Sequence, residues 1–466
     1  MIRNLMYSFF LFICLNLLVF FYNIYKVFGS AMFKIDFITF FQTTHISCFL
    51  SFYYILVVLL ISFIFFISIN KFNKKADYYK LIFFFFLLVF CVGIMKFFLD
   101  YNVFCYIFHK IQYSDFYENN YVDAKKVNIK VPEQKKNLIL IFVENIDFKF
   151  AEKNIFRNNS SSETDNLSEN NISFKYFING YSQYTAQMSL ISILSGIPCP
   201  KLLSKNYLIQ QNKNYLPRLY MLSDILKDND YQTLFIQSSN TDFEGLKLFL
   251  KMHHFDEALN LNDIFENYDE NQSSKNIFWV ENVINAIKMN IMKLDKNKPF
   301  FVTIFAVDTC CENSEISNIS RDRYDRTKKI SLLVQKFIAW LKKQPFADNT
   351  VFVIIGDNSR MDDFIKESEN DICKLNKNVD YECMYNCFIN PVDKNKEVNK
   401  KRLFCQFDLF PTILESLSFE IQGSKLGLGT SLFSEKKTVL EEFGKKEVNS
   451  QLAKKNKIYN NLLKYK

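Results

Sequence analysis

The stretch NLILIFVEN, residues 137–145, decides how this chain folds. It is a continuous apolar run, rich in β-branched residues, that ends in polar ones. A strand with one wet face alternates apolar and polar positions. A strand apolar throughout suits a parallel sheet covered by helices on both faces. The pattern returns in YQTLFIQSSN (231–240), PFFVTIFAVDT (299–309) and NTVFVIIGDN (349–358). Helical periodicity lies between, in SDILKDN (223–229) and DRTKKISLLVQKFIAWLKKQ (325–344). This alternation predicts an open, mostly parallel α/β sheet flanked by helices.

Before this region the texture is different. Residues 5–28, 47–70 and 81–98 are long, nearly charge-free runs of bilayer-spanning length. The first is too long for the apolar core of a signal peptide, and two more runs follow it. The loop KFNKKADYYK between the second and third runs is dense in lysine, which puts it in the cytoplasm. Everything after about residue 100 then lies outside. The patch VFCYIFHKI (103–111) reads as interfacial. The expected organisation is a three-span transmembrane anchor over 1–98, a connector over 99–136, an α/β domain over 137–440 and a Lys-rich tail over 441–466. The stretches 158–171 and 393–401 read as polar loops, and the tail as a solvated face.

The net charge of +8 is modest for 466 residues. No basic block interleaved with aromatics appears in the large domain, so nucleic acid is not an expected partner. Seven cysteines (Cys199, Cys310, Cys311, Cys373, Cys383, Cys387, Cys405) fall in the exported part. Cys373, Cys383 and Cys387 are near enough in sequence to pair locally, with connectivity left open. The Cys383/Cys387 spacing lacks the second ligand pair of a zinc knuckle.

Open parallel sheets bind ligands beyond the carboxyl ends of their strands. Three runs end there in carboxylates: Glu144, Asp308 and Asp357, the last followed by Asn358. Three such groups on one edge form an oxygen-rich set suited to a cation. Thr185 opens TAQMSLISILSGIPCP (185–200), a helical run that Gly196 and Pro198 bring to a stop. A threonine at a helix start is either a plain cap or a nucleophile. The helix N-terminus favours a phosphate there, and a metal on the hydroxyl would lower its pKa.

In collinear order, these segments resemble the alkaline-phosphatase-like, sulfatase-type transferases of bacterial envelopes. That group includes lipoteichoic acid synthases, phosphoethanolamine transferases and phosphoglycerol transferases of periplasmic glucans, and the likeness is closest to the last. Residues 185–200 are similar to the nucleophile segment, with its Gly-Ile-Pro exit. FIQSSNTDFEGLKLFLKMHHFDEAL (235–259) resembles the segment in which a Phe-x-Gly turn precedes a helix. FDLFPTILESL with GSKLGLGTSLFS (407–434) resembles the closing motif.

The resemblance implies a divalent metal held by Glu144, Thr185, Asp357 and Asn358, with Thr185 taking the phosphoryl group covalently. It also implies a membrane lipid as donor and an envelope glycan or lipid as acceptor, on the periplasmic side of the inner membrane. Arg360 and Asp308 are candidate substrate-side residues.

The chain departs from the family pattern at Asn358, where the family has histidine. It departs again at Thr309-Cys310-Cys311, which lacks the usual histidine, and at Gln406, two residues before Asp408. An all-oxygen site suits Mg²⁺, Mn²⁺ or Ca²⁺ better than Zn²⁺. Three readings follow: a phosphoglycerol transferase, a phosphoethanolamine transferase, or an inactive membrane-anchored scaffold on the same fold.

Overall fold

A computed structural model describes residues 112–143, 171–181, 186–198, 216–237, 246–264, 277–307, 334–356, 383–391 and 398–463. The three apolar runs expected to span a membrane lie outside these residues. Among the described residues no helix is long and apolar enough to cross a bilayer. The chain divides into two compact units. Of the first, Met1–Tyr113 with Ala453–Lys455, the described part is a bridge between Tyr113 and Lys455, in which Lys455 N donates to Gln112 O at 2.9 Å. The second, Ser114–Leu452 with Asn456–Lys466, carries the sheet.

The sheet has six strands: β1 (Asn137–Val143), β2 (Gln232–Gln237), β3 (Glu257–Leu259), β4 (Phe300–Val307), β5 (Thr350–Gly356) and β6 (Asn386–Ile389). Their order is β3-β2-β4-β1-β5-β6, all parallel except β6, which runs antiparallel to β5. Every residue of β1 and β5 is buried. The six apolar side chains from Leu138 to Val143 therefore leave water completely, each contributing about 1.5–3 kcal/mol. The four strands expected from sequence are all present, each ending within three residues of its apolar run.

Asn137 sets the register. Although polar it is buried, and its side chain is satisfied across both neighbours. Its Oδ1 accepts from Phe300 N at 3.1 Å, and its Nδ2 donates to Thr350 Oγ1 at 3.3 Å. A buried amide without partners would cost about 1–3 kcal/mol, so a slipped register is disfavoured. With the amino ends of β4 and β5 pinned to β1, their carboxyl ends align as well. Val143 pairs with Val307 on one side and with Gly356 on the other, across one β1/β4 irregularity.

The described helices include α1 (Ala186–Ser195), α2 (Leu222–Lys227), α3 (Leu246–Met252), α4 (Ile277–Lys293), α5 (Gln406–Ser416), α6 (Val439–Phe443), α7 (Lys445–Leu452) and α8 (Lys457–Leu462). Residues 334–342 are helical too, inside the 325–344 stretch. From Met188 to Ser195 every residue of α1 is buried, because the helix packs against α5 as well as the domain core. Its serines therefore line a buried contact. Cys383, Cys387 and Cys405 are buried thiols outside any disulfide, so local pairing of Cys383 with Cys387 is not what the fold uses. Burial pushes the Cys387 thiol up to about 11 and raises Cys405 as well, which leaves both unreactive near neutral pH.

Candidate active site

At the carboxyl edge of the sheet, β4, β1 and β5 end side by side. Adjacent strands lie about 5 Å apart, so three chain exits fall within roughly 10 Å. The next residues in the chain are Glu144 after Val143, Asp308 after Val307, and Asp357-Asn358 after Gly356. These four, with Thr185 and Arg360, lie outside the described residues. The described residues hold the ends of the segments that lead to them.

A line of hydrogen bonds runs from the end of β5 toward the segment that leads to Thr185. Gly356 N donates to Tyr385 O at 2.8 Å, and Met384 N donates to Phe177 O at 2.7 Å. Ile178 N then donates to Phe404 O at 3.0 Å, beside the stacked rings of Phe177 and Phe404. Gln406, fully buried in the first turn of α5, completes the line. Its Oε1 accepts from Gly180 N at 2.9 Å and its Nε2 donates to Asn179 Oδ1 at 3.0 Å. Sequence reading registers Gln406 only as a departure from a family pattern. Its task as the anchor of Asn179–Gly180, five residues before Thr185, depends on a partner more than two hundred residues away. A polar residue two positions before Asp408 in the otherwise apolar run CQFDLF (405–410) is the one sequence signal near it, and it names no partner.

The far end of α1 is fixed by close backbone contact. Gly196 ends the helix at φ 69°, its N–H donating to Ser192 O at 2.8 Å, as the Gly-Ile-Pro exit predicts. Its own carbonyl accepts from Leu428 N at 2.7 Å. A Cβ on Gly427, at φ 60°, would come within 2.5 Å of that carbonyl oxygen. Gly429 meets α5 in the same way. Pro411 has no N–H, so the Phe407 carbonyl lacks its helical donor, and a Cβ on Gly429 would fall 1.9 Å from that oxygen. The glycines of the closing motif thus let one loop seat against α1 and α5 together.

Asp408 ties that loop to the helix. It is fully buried, accepting from Cys405 N at 3.0 Å and from Thr430 N at 2.8 Å. Burial pushes its carboxyl up to about 7, against the pull of the two N–H donors. Because its folded value lies above the ordinary 3.8, its stability contribution is full below about pH 4 and is lost as pH rises through about 7. Thermal unfolding of the solubilised chain should show that slope, and Asp408→Asn should flatten it. An unchanged slope would remove Asp408 as its source.

A second carboxylate stands at the other end of the sheet. Asp224 caps α2 through Met221 N at 2.8 Å and meets His253 Nδ1 at 3.1 Å and His254 Nδ1 at 2.8 Å. Burial pushes Asp224 up, but hydrogen bonds from the histidines and Met221 outweigh it and hold the carboxyl below its ordinary range. His253 and His254 therefore tie α2 to the turn after α3. Among the described residues no group of three or more His, Cys, Asp or Glu is placed to hold a metal ion.

The sulfatase family model matches residues 136–418. Phosphoglycerol transferase I from Salmonella arizonae and from Salmonella newport are each 24% identical over 245 residues, covering 50% of this chain and 32% of theirs. The chain thus aligns with about a third of the length of those curated relatives. Among solved structures, the lipoteichoic acid synthase LtaP from Listeria monocytogenes is 17% identical with a TM-score of 0.47, covering 66% of this chain and 79% of that one. The periplasmic domain of EptC from Escherichia coli, in complex with Zn, is 12% identical with a TM-score of 0.44, covering 66% and 89%.

Proposed function

The chain belongs to the sulfatase family, and from that premise we propose that it is a membrane-anchored transferase of a phosphorylated head group. The donor is a membrane lipid, phosphoglycerol is the favoured group, and the acceptor is an envelope glycan or lipid. One observation carries this reading: three adjacent strands end in register, and the next residues in sequence supply Glu144, Asp308 and Asp357-Asn358. The similarity to phosphoglycerol transferase I supports the choice of head group.

In this proposal Glu144, Asp357, Asn358 and Thr185 hold one divalent cation. Its donors are all oxygen, which favours Mg²⁺, Mn²⁺ or Ca²⁺ over Zn²⁺. When bound, the cation supplies Lewis-acid charge at the phosphoryl oxygens and a lower pKa for the threonine hydroxyl. Thr185 Oγ attacks the lipid phosphorus and the P–O bond to diacylglycerol breaks. The alcohol released takes up a proton equivalent to the one Thr185 loses. An acceptor hydroxyl then attacks the phosphothreonine, a new P–O bond forms, and Thr185 leaves with a proton restored. Arg360 and Asp308 are assigned to the substrate side. In this proposal the three-span anchor over 1–98 holds the chain in the inner membrane with the 137–440 domain on the periplasmic side, and it raises the local concentration of lipid donor.

Membranes bearing the full chain, supplied with head-group-labelled phosphatidylglycerol, test the proposal. Chelation is expected to lower transfer about a thousand-fold, the rate equivalent of several kcal/mol, with recovery on adding Mg²⁺ or Mn²⁺. Transfer from labelled phosphatidylethanolamine alone would identify a phosphoethanolamine transferase. A specific observation favours the inactive scaffold as second reading: Gln406 is buried and occupied with Asn179 and Gly180. No transfer from either lipid under any of the metals would establish it.

A further inference from the structure

We propose that the cavity at the amino edge of the sheet is a binding site for a small organic ammonium ion. Its volume is about 690 Å³, within the range of small-molecule sites. Its walls come from residues 124–129, from α2 with the loop before it, and from the turn after α3. The chain runs from α2 into β2 and from α3 into β3, so this is the edge opposite the exits of β4, β1 and β5. Every lining residue belongs to the unit that carries the sheet.

The wall is rich in acceptors. Asp224, held ionised, can only accept, so His253 Nδ1 and His254 Nδ1 both carry the proton they donate to it. Each neutral ring then keeps a lone pair at Nε2. That of His253, a lining residue 2% exposed, has no hydrogen-bond partner, while the His254 side chain is 59% exposed. Tyr220 O–H donates to Asp228 Oδ2 at 2.5 Å. Burial, that hydrogen bond and the charges of Asp228 and Asp224 all push the Tyr220 phenol up. Lys125 Nζ lies 5.3 Å over the same ring, so an ammonium of the chain itself already rests on this wall. Of the charged lining residues, Asp224 and Asp228 face Lys125 alone, which leaves one negative charge in excess. The charged neighbours pair off among themselves: Asp123 with Lys126, Asp230 with Lys135, Asp256 with Lys227 and Glu420 with Lys130. Arg218 turns to Asn461, and Lys251 acts on Asp263. A ligand that brings N–H donors and positive charge satisfies such a wall, and a primary ammonium brings both.

The detergent-solubilised full chain is dialysed to equilibrium against radiolabelled putrescine. Saturable binding that butanediol, the uncharged isostere, does not displace is the expected result. Asp228→Asn keeps an acceptor for Tyr220 but removes the charge, and should weaken binding about ten-fold. Tyr220→Leu should weaken it about five-fold. Lys125→Met removes the resident ammonium and should tighten binding about five-fold, a gain that loose association with surface acids would not show. Asp228 and Lys125 are both exposed, so neither change threatens the fold. Dihexanoyl phosphatidylethanolamine is added as competitor to separate two sources of the same chemistry. Displacement assigns the site to a lipid-borne amine, and no displacement assigns it to free amines. Equal binding by the parent, Asp228→Asn and Lys125→Met chains overturns the proposal, as does the absence of saturable binding below about 10 mM.

Discussion

Thr185→Ala is expected to lower head-group transfer by about 10⁴-fold or more while leaving the fold nearly intact. Loss of a nucleophile removes the covalent route altogether, and what remains is catalysis by binding and charge stabilisation. The fold should survive because α1 does not depend on its cap. It is buried from Met188 to Ser195, packed on α5, and closed by Gly196 against Leu428. A cap of the plain kind is worth about 1 kcal/mol. Thermal unfolding and turnover therefore separate the two roles of Thr185: a cap costs stability and spares transfer, a nucleophile does the reverse. Thr185→Ser should recover part of the rate. A Thr185→Ala protein that transfers at the parent rate would end the nucleophile assignment.

Arg402→Met should destabilise the domain by about 3 kcal/mol. Arg402 is 3% exposed, and all three of its nitrogens donate at one junction. Its Nε donates to Glu441 Oε1 at 2.8 Å, a second nitrogen donates to Glu441 Oε2 at 2.9 Å, and the guanidinium also serves the carbonyls of Ser434 and Lys436. Glu441 in turn accepts from Leu403 N and Thr438 N, the latter as part of the box that caps α6. Removing the cation leaves a mostly buried carboxylate unpaired, which is where the large cost of broken buried pairs arises. The double variant Arg402→Met/Glu441→Leu should regain much of the loss, since the pair itself is nearly neutral against apolar replacements. Equilibrium unfolding in denaturant measures both. A single variant as stable as the parent would show that the junction is not held by this pair.

The main strands were legible because a strand buried on both faces writes itself as an unbroken apolar run. β1, β2, β4 and β5 are of that kind. β3 and β6 were not, for a different reason in each. Only three residues long at the sheet edge, β3 shows no run at all, and β6 is a four-residue antiparallel edge strand inside NCFI. The stop at Gly196 was readable because left-handed backbone at a helix end calls for glycine. Gly427 and Gly429 appeared only as motif letters; what excludes a side chain there is a carbonyl from Gly196 or Phe407, far away in sequence.

For the candidate site, the three strand ends were legible as the ends of apolar runs, and β4, β1 and β5 do end in register; the carboxylates that follow them in sequence lie outside the described residues. The supports around it were not. Asn137 looks like the polar start of a strand until its two cross-strand bonds are known, and Gln406 looks like a lost histidine until Asn179 and Gly180 are found on it. Long-range polar pairing has no periodicity for a sequence to display.

The most direct measurement is a mass spectrum of the peptide spanning residues 179–200, from the full chain purified out of its own membranes and incubated with phosphatidylglycerol and Mg²⁺ or Mn²⁺, with Thr185→Ala as control. A phosphoglycerol adduct on Thr185, absent from the control, is the expected result. A bare threonine after incubation with phosphatidylglycerol and phosphatidylethanolamine under Mg²⁺, Mn²⁺, Ca²⁺ and Zn²⁺, with no product formed, would contradict it.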